Sequence, residues 1–550
     1  MTNLFELRRT GMEVNLNNLK NKSFWESIKV EIPRYSVKNV IELTRENPKW
    51  VHFGAGNIFR VFIGGLQQKL LNDKKVKSGI IAVETFDHDI IDKIYKPYDN
   101  LSLSVLMDGN GKLKNEIIGS ITDSIKGDFE NKEETKKLKD IFRNKDLQIA
   151  SLTITEKGYE LKDSEGKYLK IIESDIQSGP SRPKHIISVM VSLLYERYES
   201  GRYPVAVVSF DNCSQNGKKL QDSILDIAEK WKDLDYVPED FINYLKNNDK
   251  VSFPWSMIDK ITPRPSEIIK EKLTELGIEN MEPIVTSKNT YIAPYINAEI
   301  PEYLVIEDDF PNGRPPLEEV GVYLTDQDTV NKTEKMKVTA CLNPLHTALA
   351  IFGCLLGYNL IADELKDKEL KKLIEKLGYK EAMRVVPDPK IINPLEFIKE
   401  VIEVRFSNPY IPDTPQRIAT DTSQKISIRF GETIKSYYER KDMDVSELIY
   451  IPIVIAGWCR YLLGIDDEGN EMILSPDPLL KELKEYMEGI KLGEKNVNKS
   501  DLKEILSNKK IFGLDLYEVG LGERVEKYFL EFIEGTGSVR KTLKKYLTEV

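Results

Sequence analysis

A lysine, an asparagine and a histidine stand close together in Glu334-Lys335-Met336-Lys337-Val-Thr-Ala-Cys-Leu-Asn343-Pro344-Leu-His346. A lysine can exchange a proton with an alcohol or carbonyl oxygen, while an amide and an imidazole hold that oxygen as its charge changes. Asparagine followed by proline makes a helix cap and a first-turn residue, so the sequence predicts a helix opening at Asn343. His346 then lies in its first turn, three residues on and on the same side. Lys337, six residues before Asn343, falls on a segment that reads as extended. Taken singly, the three are an ordinary cap, a core-edge histidine and a surface lysine. Their grouping is what points to proton transfer.

A second stretch suits a nucleotide. Gly54-Ala-Gly56-Asn57-Ile-Phe-Arg60 follows the apolar run Trp50-Val-His52-Phe53 and leads into a helical pattern at Val61, Phe62, Leu66, Leu70 and Leu71. Glycines at a strand–helix turn let the backbone approach a pyrophosphate, and the helix start offers unpaired N–H groups. Arg60 stands where a third glycine is usual and is expected beside the phosphates or in a surface ion pair. The next apolar run, 78–83, ends at Glu84, with Asp87 and Asp89 close behind. An acid there accepts hydrogen bonds from a ribose 2′-hydroxyl and repels a 2′-phosphate, so NAD is expected ahead of NADP, which stays open. Helix capping accounts for at least one of the three acids.

These residues need elements to hold them. A chain of 550 residues exceeds what one core supports, so two domains are expected. Further strand-like runs at 149–155 and 203–210 alternate with helical stretches such as 185–198, which indicates a parallel α/β sheet. After about residue 330 the pattern turns helical, at 348–363, 367–376, 394–404, 425–438, 445–463, 477–491 and 524–534. The expected fold is α/β: an N-terminal Rossmann-type dinucleotide-binding domain at 1–330, with a polar lead-in at 1–49, and a mostly α-helical C-terminal domain at 331–550. The Lys-rich segments 131–148 and 491–510 read as solvated helix faces and loops.

Composition narrows the function. The net charge of −10 argues against nucleic acid or an anionic membrane as partner. Four cysteines without a CxxC, and four histidines without an HExxH, fit neither a disulfide framework nor a zinc site, so no metal is expected. MTNLFELRRTG lacks the apolar centre of a signal peptide, and the apolar stretches near 348–358 and 450–458 are shorter than the ~18 residues of a membrane span. A reducing, cytoplasmic setting is expected.

With these pieces together the chain resembles the mannitol dehydrogenase family of long-chain polyol and hexuronate dehydrogenases, from about His52 to Asp467. Val51-His-Phe-Gly-Ala-Gly-Asn-Ile-Phe-Arg60 looks like the family's nucleotide turn, and Ser151-Leu-Thr-Ile-Thr-Glu-Lys-Gly-Tyr159 like its SLTxTExGY stretch. Ser209-Phe-Asp211-Asn212-Cys-Ser-Gln-Asn216-Gly217 is similar to SCDNxxxNG, Met257-Ile-Asp259-Lys-Ile-Thr-Pro263 to MVDRITP, and Val305-Ile-Glu-Asp-Asp-Phe-Pro311 with Gly313-Arg314-Pro315 to VIEDDFxxGRP. Asn343 to His346 matches NxxH, and Ala456-Gly-Trp-Cys-Arg-Tyr461 matches AGWxRY.

The resemblance implies metal-independent hydride exchange between nicotinamide and a secondary alcohol, in a cleft between the domains. It makes Lys337 the acid/base, with Lys335 the alternative, because the gap to Asn343 is one residue longer than the common pattern. A bulge before the helix would absorb the extra residue. Asn212 would hold the developing oxyanion with Asn343, supported by His346. Asp259, Arg417 and Lys425 would contact substrate. Arg417 could grip a carboxylate with two parallel hydrogen bonds, or simply pair with an acid such as Asp421. The expected substrate is a hexuronate, D-fructuronate reduced to D-mannonate. The alternatives are mannitol 2-dehydrogenase or tagaturonate reductase activity, and a nucleotide-binding protein without catalysis.

Overall fold

The structure is a computed structural model that describes residues 11–163, 165–494 and 499–548. The reading of the first ten residues, and of 495–498 within the Lys-rich segment, lies outside the described residues. The chain divides into two compact units, Met1–Asn331 and Lys332–Val550.

Six strands of the first unit form one parallel sheet: β1 (Trp50–Phe53), β2 (Ile80–Glu84), β3 (Ile121–Lys126), β4 (Ile149–Leu152), β5 (Val205–Ser209) and β6 (Val251–Ser252). Their spatial order is β6-β5-β4-β1-β2-β3. The order reverses between β1 and β4, and such a switch point leaves a crevice at the carboxyl ends of the strands. Val51 in β1 stands beside Ile81 on one side and Ala150 on the other. Every residue of β1, β2, β4 and β5 is buried. That explains their unbroken apolar runs, since a parallel sheet is covered on both faces.

Alternate residues feed two different cores, as the two-residue period of a strand requires. Val51, Phe53, Ile81, Val83, Ala150, Leu152, Val205 and Val207 pack on one side with the helices Ile186–Glu199 and Asn216–Asp233. Trp50, Ile80, Ala82, Ile149, Ala206 and Val208 pack on the other with Phe59, Phe62, Leu66 and Leu70 from the helix after the glycine turn.

Two sheets of three and four strands accompany the parallel sheet, besides two-stranded pairs at Met12–Glu13 with Ile278–Glu279 and at Ile284–Val285 with Tyr291–Ile292. One holds Val30–Glu31, Leu113–Ile118, Ser102–Met107 and Tyr295–Glu299, so the polar lead-in contributes an edge strand as well as its short helices. The other holds Ser256–Asp259, Tyr303–Glu307 and Tyr323–Thr325.

Among the described residues no strand lies beyond Tyr323–Thr325. One helical run, Gln327–Leu355, has the length and composition of a membrane span, and 83% of its apolar window is buried inside the protein. It is a core helix, longer than the apolar stretch near 348–358 suggests, because polar residues continue it upstream. The helix expected to reach 363 stops at Leu355. Gly357 takes φ +77° there, and Tyr358 N–H bonds to the Gly353 carbonyl at 2.9 Å, the paired arrangement that closes helices at glycine.

Candidate functional site

The glycine turn sits at the carboxyl end of β1, at the switch point. Gly54 has φ +100°, and a Cβ on it would lie 2.0 Å from the Thr153 carbonyl oxygen, so only glycine fits. Gly56 has no such constraint: a Cβ there would meet nothing within 4 Å. The turn is braced around it. Gly54 N–H donates to the Val83 carbonyl at 2.8 Å, Ala55 N–H to Glu84 Oε2 at 2.9 Å, and Tyr95 Oη–H to the Ala55 carbonyl at 3.0 Å. Gly54, Gly56, Glu84, Asp87, Thr153, Thr155, Lys157, Lys184 and His185 are among the residues lining a cavity of about 580 Å³. That volume is in the range of cofactor sites.

The three acids after β2 separate by their partners. Glu84 accepts from the Ala55, Phe86 and Asp87 N–H groups, so both its oxygens serve as struts of the turn. Asp89 accepts from Ser287 N–H at 2.8 Å and Lys93 Nζ at 3.0 Å, and these bonds draw its pKa down to about 2. Asp87 Oδ2 accepts from the Thr286 and Thr290 hydroxyls, each at 2.6 Å, while Oδ1 is buried with no hydrogen-bond partner. A buried acceptor without a donor is costly unless a ligand supplies one. The open space at Gly56 and the orphaned Asp87 Oδ1 fit a dinucleotide's pyrophosphate and ribose.

Arg60 corrects the sequence reading on both counts. It is fully buried, and its guanidinium donates to the Ala293 carbonyl at 2.9 Å, the Pro294 carbonyl at 2.8 Å, Ser102 Oγ at 3.1 Å and Asn57 Oδ1 at 3.4 Å. It is neither a phosphate ligand nor a surface ion-pair member. It ties the helix after the turn to the entry of strand Tyr295–Glu299. Asn57 is correspondingly engaged through its side chain.

Two of the quoted motifs serve each other. Asp211 accepts from the Ile154 and Thr155 N–H groups at 2.9 and 2.8 Å and from Tyr159 Oη–H at 2.6 Å. It thereby holds the loop after β4, where Thr155 takes φ +64° beside the cavity. Asn212, the next residue, is exposed on the loop after β5. Asp259 is buried at the end of Ser256–Asp259, paired with Tyr303 across the ladder.

In the second unit the structure corrects the local geometry of the lysine. Lys337 is not on an extended segment. It lies in a π-helical turn, Met336–Cys341, within the continuous run, and Leu342 N–H bonds back five residues to the Lys337 carbonyl at 3.1 Å. A π-turn is how a helix absorbs one extra residue, and the extra residue falls here. Lys337 is buried, whereas Lys335 is exposed. Asn343 is likewise not a free cap: it is the first residue of Asn343–Leu355, after a break at Leu342, with Pro344 in the first turn. Its side chain is half-buried beside the break.

His346 is buried, and its Nε2 lies 2.8 Å from Asp413 Oδ2, in a bent approach. Burial lowers the His346 pKa, Asp413 pulls it back, and the Arg429 and Arg417 guanidiniums push it down again. Burial pushes Asp413 up, but His346 and Arg417 hold it below the usual carboxylate range. The pair is therefore a neutral imidazole against a carboxylate. With Nε2 turned to Asp413, Nδ1 is the other ring nitrogen available for a hydrogen bond.

Arg417 departs from the expected free fork. Its Nε and Nη2 lie 3.1 and 2.5 Å from Asp413 Oδ1, so its acid partner is Asp413 rather than Asp421, and that edge is spent. Lys425 Nζ donates to the Thr420 carbonyl at 2.6 Å. Burial lowers its pKa, and the Arg429 and Arg417 charges act the same way. Asp413 and Arg429 were not among the candidates from sequence. Asp413 stands four residues before Arg417, a spacing that could have flagged the pair.

Comparison with known proteins places this arrangement. Residues 48–319 match the Mannitol dehydrogenase Rossmann domain, and residues 329–531 match the Mannitol dehydrogenase C-terminal domain. D-mannonate oxidoreductase of Thermotoga maritima is 55% identical over 536 residues, covering 97% of this chain and 99% of that protein. Two solved structures share the fold. Pseudomonas fluorescens mannitol 2-dehydrogenase, in a ternary complex with NAD and D-mannitol, has a TM-score of 0.73 at 24% identity, covering 98% of this chain and 100% of that one. D-sorbitol dehydrogenase in substrate-free form has a TM-score of 0.78 at 23% identity, with the same coverage. With both of its domains matched along most of its length, the chain belongs to the mannitol dehydrogenase family.

Proposed function

We propose that the protein is an NAD-dependent oxidoreductase of a hexonate and its keto acid, reducing D-fructuronate to D-mannonate. The observation that carries the reading is the 55% identity, end to end, with a D-mannonate oxidoreductase. The second unit adds a physical reason: Arg417, Lys425 and Arg429 gather near His346, and a cationic cluster suits a carboxylate better than a neutral polyol.

Gly54, Gly56 and Asn57 would receive the pyrophosphate, and Asp87 the ribose of the adenosine half. NAD, when bound, supplies or takes up the hydride. Lys337 gives up a proton to the new hydroxyl in reduction and takes it back in oxidation. Its burial, against the exposure of Lys335, supports this choice. Asn343 and His346 hold the reacting oxygen, and Asp413 fixes the imidazole. The parts given to Asn212 and Asp259 rest on the motif match alone.

The test is the oxidative direction. Purified protein with D-mannonate and NAD should produce NADH and D-fructuronate in equal amounts, read at 340 nm and by NMR of the product. No NADH with D-mannonate, together with NADH from D-mannitol, would move the protein to the polyol branch.

A further inference from the structure

Three buried arginines are each held by three or more hydrogen bonds to carbonyls and neutral side chains. Arg60 donates to two carbonyls and two side chains. Arg197 donates to six carbonyls, among them those of Phe142, Asn144 and Leu147. Arg460 donates to the carbonyls of Phe532, Ile465 and Asp466. These three are structural rivets.

Arg429 is different. It lies in the π-helical turn Ser427–Gly431 and is half-buried. Among the described residues its one hydrogen-bond partner is the Thr347 hydroxyl, to which Nη1 donates. A guanidinium has five N–H donors in a planar fork, so most of this fork is uncommitted. Burial alone draws its pKa down to about 10, with no acid to hold the charge. Thr347 follows His346 on the helix Asn343–Leu355, and the Arg429 charge also acts on His346.

The neighbouring cations are less available. Arg417 has its Nε/Nη2 edge on Asp413, and Lys425 donates to the Thr420 carbonyl. Two nearby acids are also engaged: Asp413 holds His346 and Arg417, and Asp477 accepts from Ser423 N–H and Oγ–H, while Asp421 acts on Lys425. A partly desolvated cation without a counter-ion is unfavourable unless an anion completes it.

We infer that Arg429 is the specificity residue that grips the carboxylate of the sugar acid, while Arg417 serves chiefly to hold Asp413. The inference rests on the sugar-acid reading above and says which residue carries it. A planar fork meets a carboxylate with two parallel bonds, which no hydroxyl of a neutral ketose can copy.

The experiment compares Arg429→Gln, Arg429→Lys and Arg417→Ala with the unaltered protein. Glutamine keeps a donor for the Thr347 hydroxyl, so that variant should fold, which thermal melting checks. For Arg429→Gln, KM for D-fructuronate should rise roughly 10–150-fold, the range of a charge-assisted hydrogen bond. The ratio of kcat/KM for D-fructuronate to that for D-fructose should fall by a similar factor. Calorimetric titration of D-mannonate into the protein saturated with NADH, where no turnover occurs, should show the same loss. Arg429→Lys should recover part of it.

A folded Arg429→Gln that keeps normal affinity for D-mannonate would overturn the inference. So would a larger carboxylate-specific loss in Arg417→Ala. If the unaltered protein neither binds D-mannonate nor reduces D-fructuronate, the proposed function itself fails, and a reading built on it fails with it.

Discussion

Gly54 and Gly56 stand two residues apart in one turn, yet the structure gives them opposite reasons for being glycine. At Gly54 the backbone is left-handed at φ +100°, and a Cβ would lie 2.0 Å from the Thr153 carbonyl oxygen. Gly54→Ala therefore forces β1 and β4 apart and should be severely destabilising, several kcal/mol, as strain at a special backbone conformation is. At Gly56 a Cβ would meet nothing within 4 Å. Gly56→Val should change stability by only about 0.5 kcal/mol, as for a substitution that touches nothing. It would, however, fill the space that a pyrophosphate needs to reach the backbone N–H groups. Each charge-assisted hydrogen bond lost is worth ~1.5–3 kcal/mol, or roughly 10–150-fold in Kd. The assay is thermal melting alongside titration of NADH by its fluorescence. The expected pattern is an unstable Gly54→Ala and a normally folded Gly56→Val with NADH binding weakened at least tenfold. A folded Gly56→Val with unchanged NADH affinity would refute the placement of the cofactor.

Three further outcomes follow from named contacts. Asp87→Asn should weaken NADH more than NADPH in parallel titrations, because Oδ1 is the acceptor left for the ribose hydroxyl; an unchanged preference would remove Asp87 from that role. Lys337→Ala should lower kcat by ~10²–10⁴ with NADH affinity intact, while Lys335→Ala stays within a few-fold; the reverse result would mean that the exposed lysine does the chemistry. His52 is fully buried, and burial lowers its pKa from 6.5 to about 3, so the unfolded chain takes up a proton below pH 6.5 that the folded protein refuses. That part of the stability is intact above pH 6.5 and falls as the pH drops toward 3, by ~4–5 kcal/mol in all. Urea melts of His52→Gln between pH 6 and 4 should show a shallower slope than the unaltered protein.

The sheet was legible because its strands are buried on both faces, which writes unbroken apolar runs such as Ile80-Ile-Ala-Val83 into the sequence. The glycine turn was legible because Gly54 answers to local geometry, at φ +100° against the Thr153 carbonyl. Arg60 was not, since its type says only that it is charged, and the carbonyls that hold it, Ala293 and Pro294, come from more than 200 residues away in the chain. The three acids after β2 could not be ranked without their partners, two threonine hydroxyls and a set of backbone N–H groups. At the lysine, the Asn-Pro pair signalled a helix start. The structure does start a helix at Asn343, as its first residue rather than its cap, and the π-turn just upstream that takes up the extra residue has no local sequence signature. Arg429 was passed over because its significance lies in what it does not touch.

The central claim is that this protein reduces a keto sugar acid with NADH. The most direct measurement is the initial rate of NADH oxidation at 340 nm with D-fructuronate, beside D-fructose at the same concentrations. The account predicts that kcat/KM for D-fructuronate exceeds that for D-fructose by at least tenfold, the worth of one charge-assisted bond to the carboxylate. Faster reduction of D-fructose would contradict it and make the protein a polyol dehydrogenase.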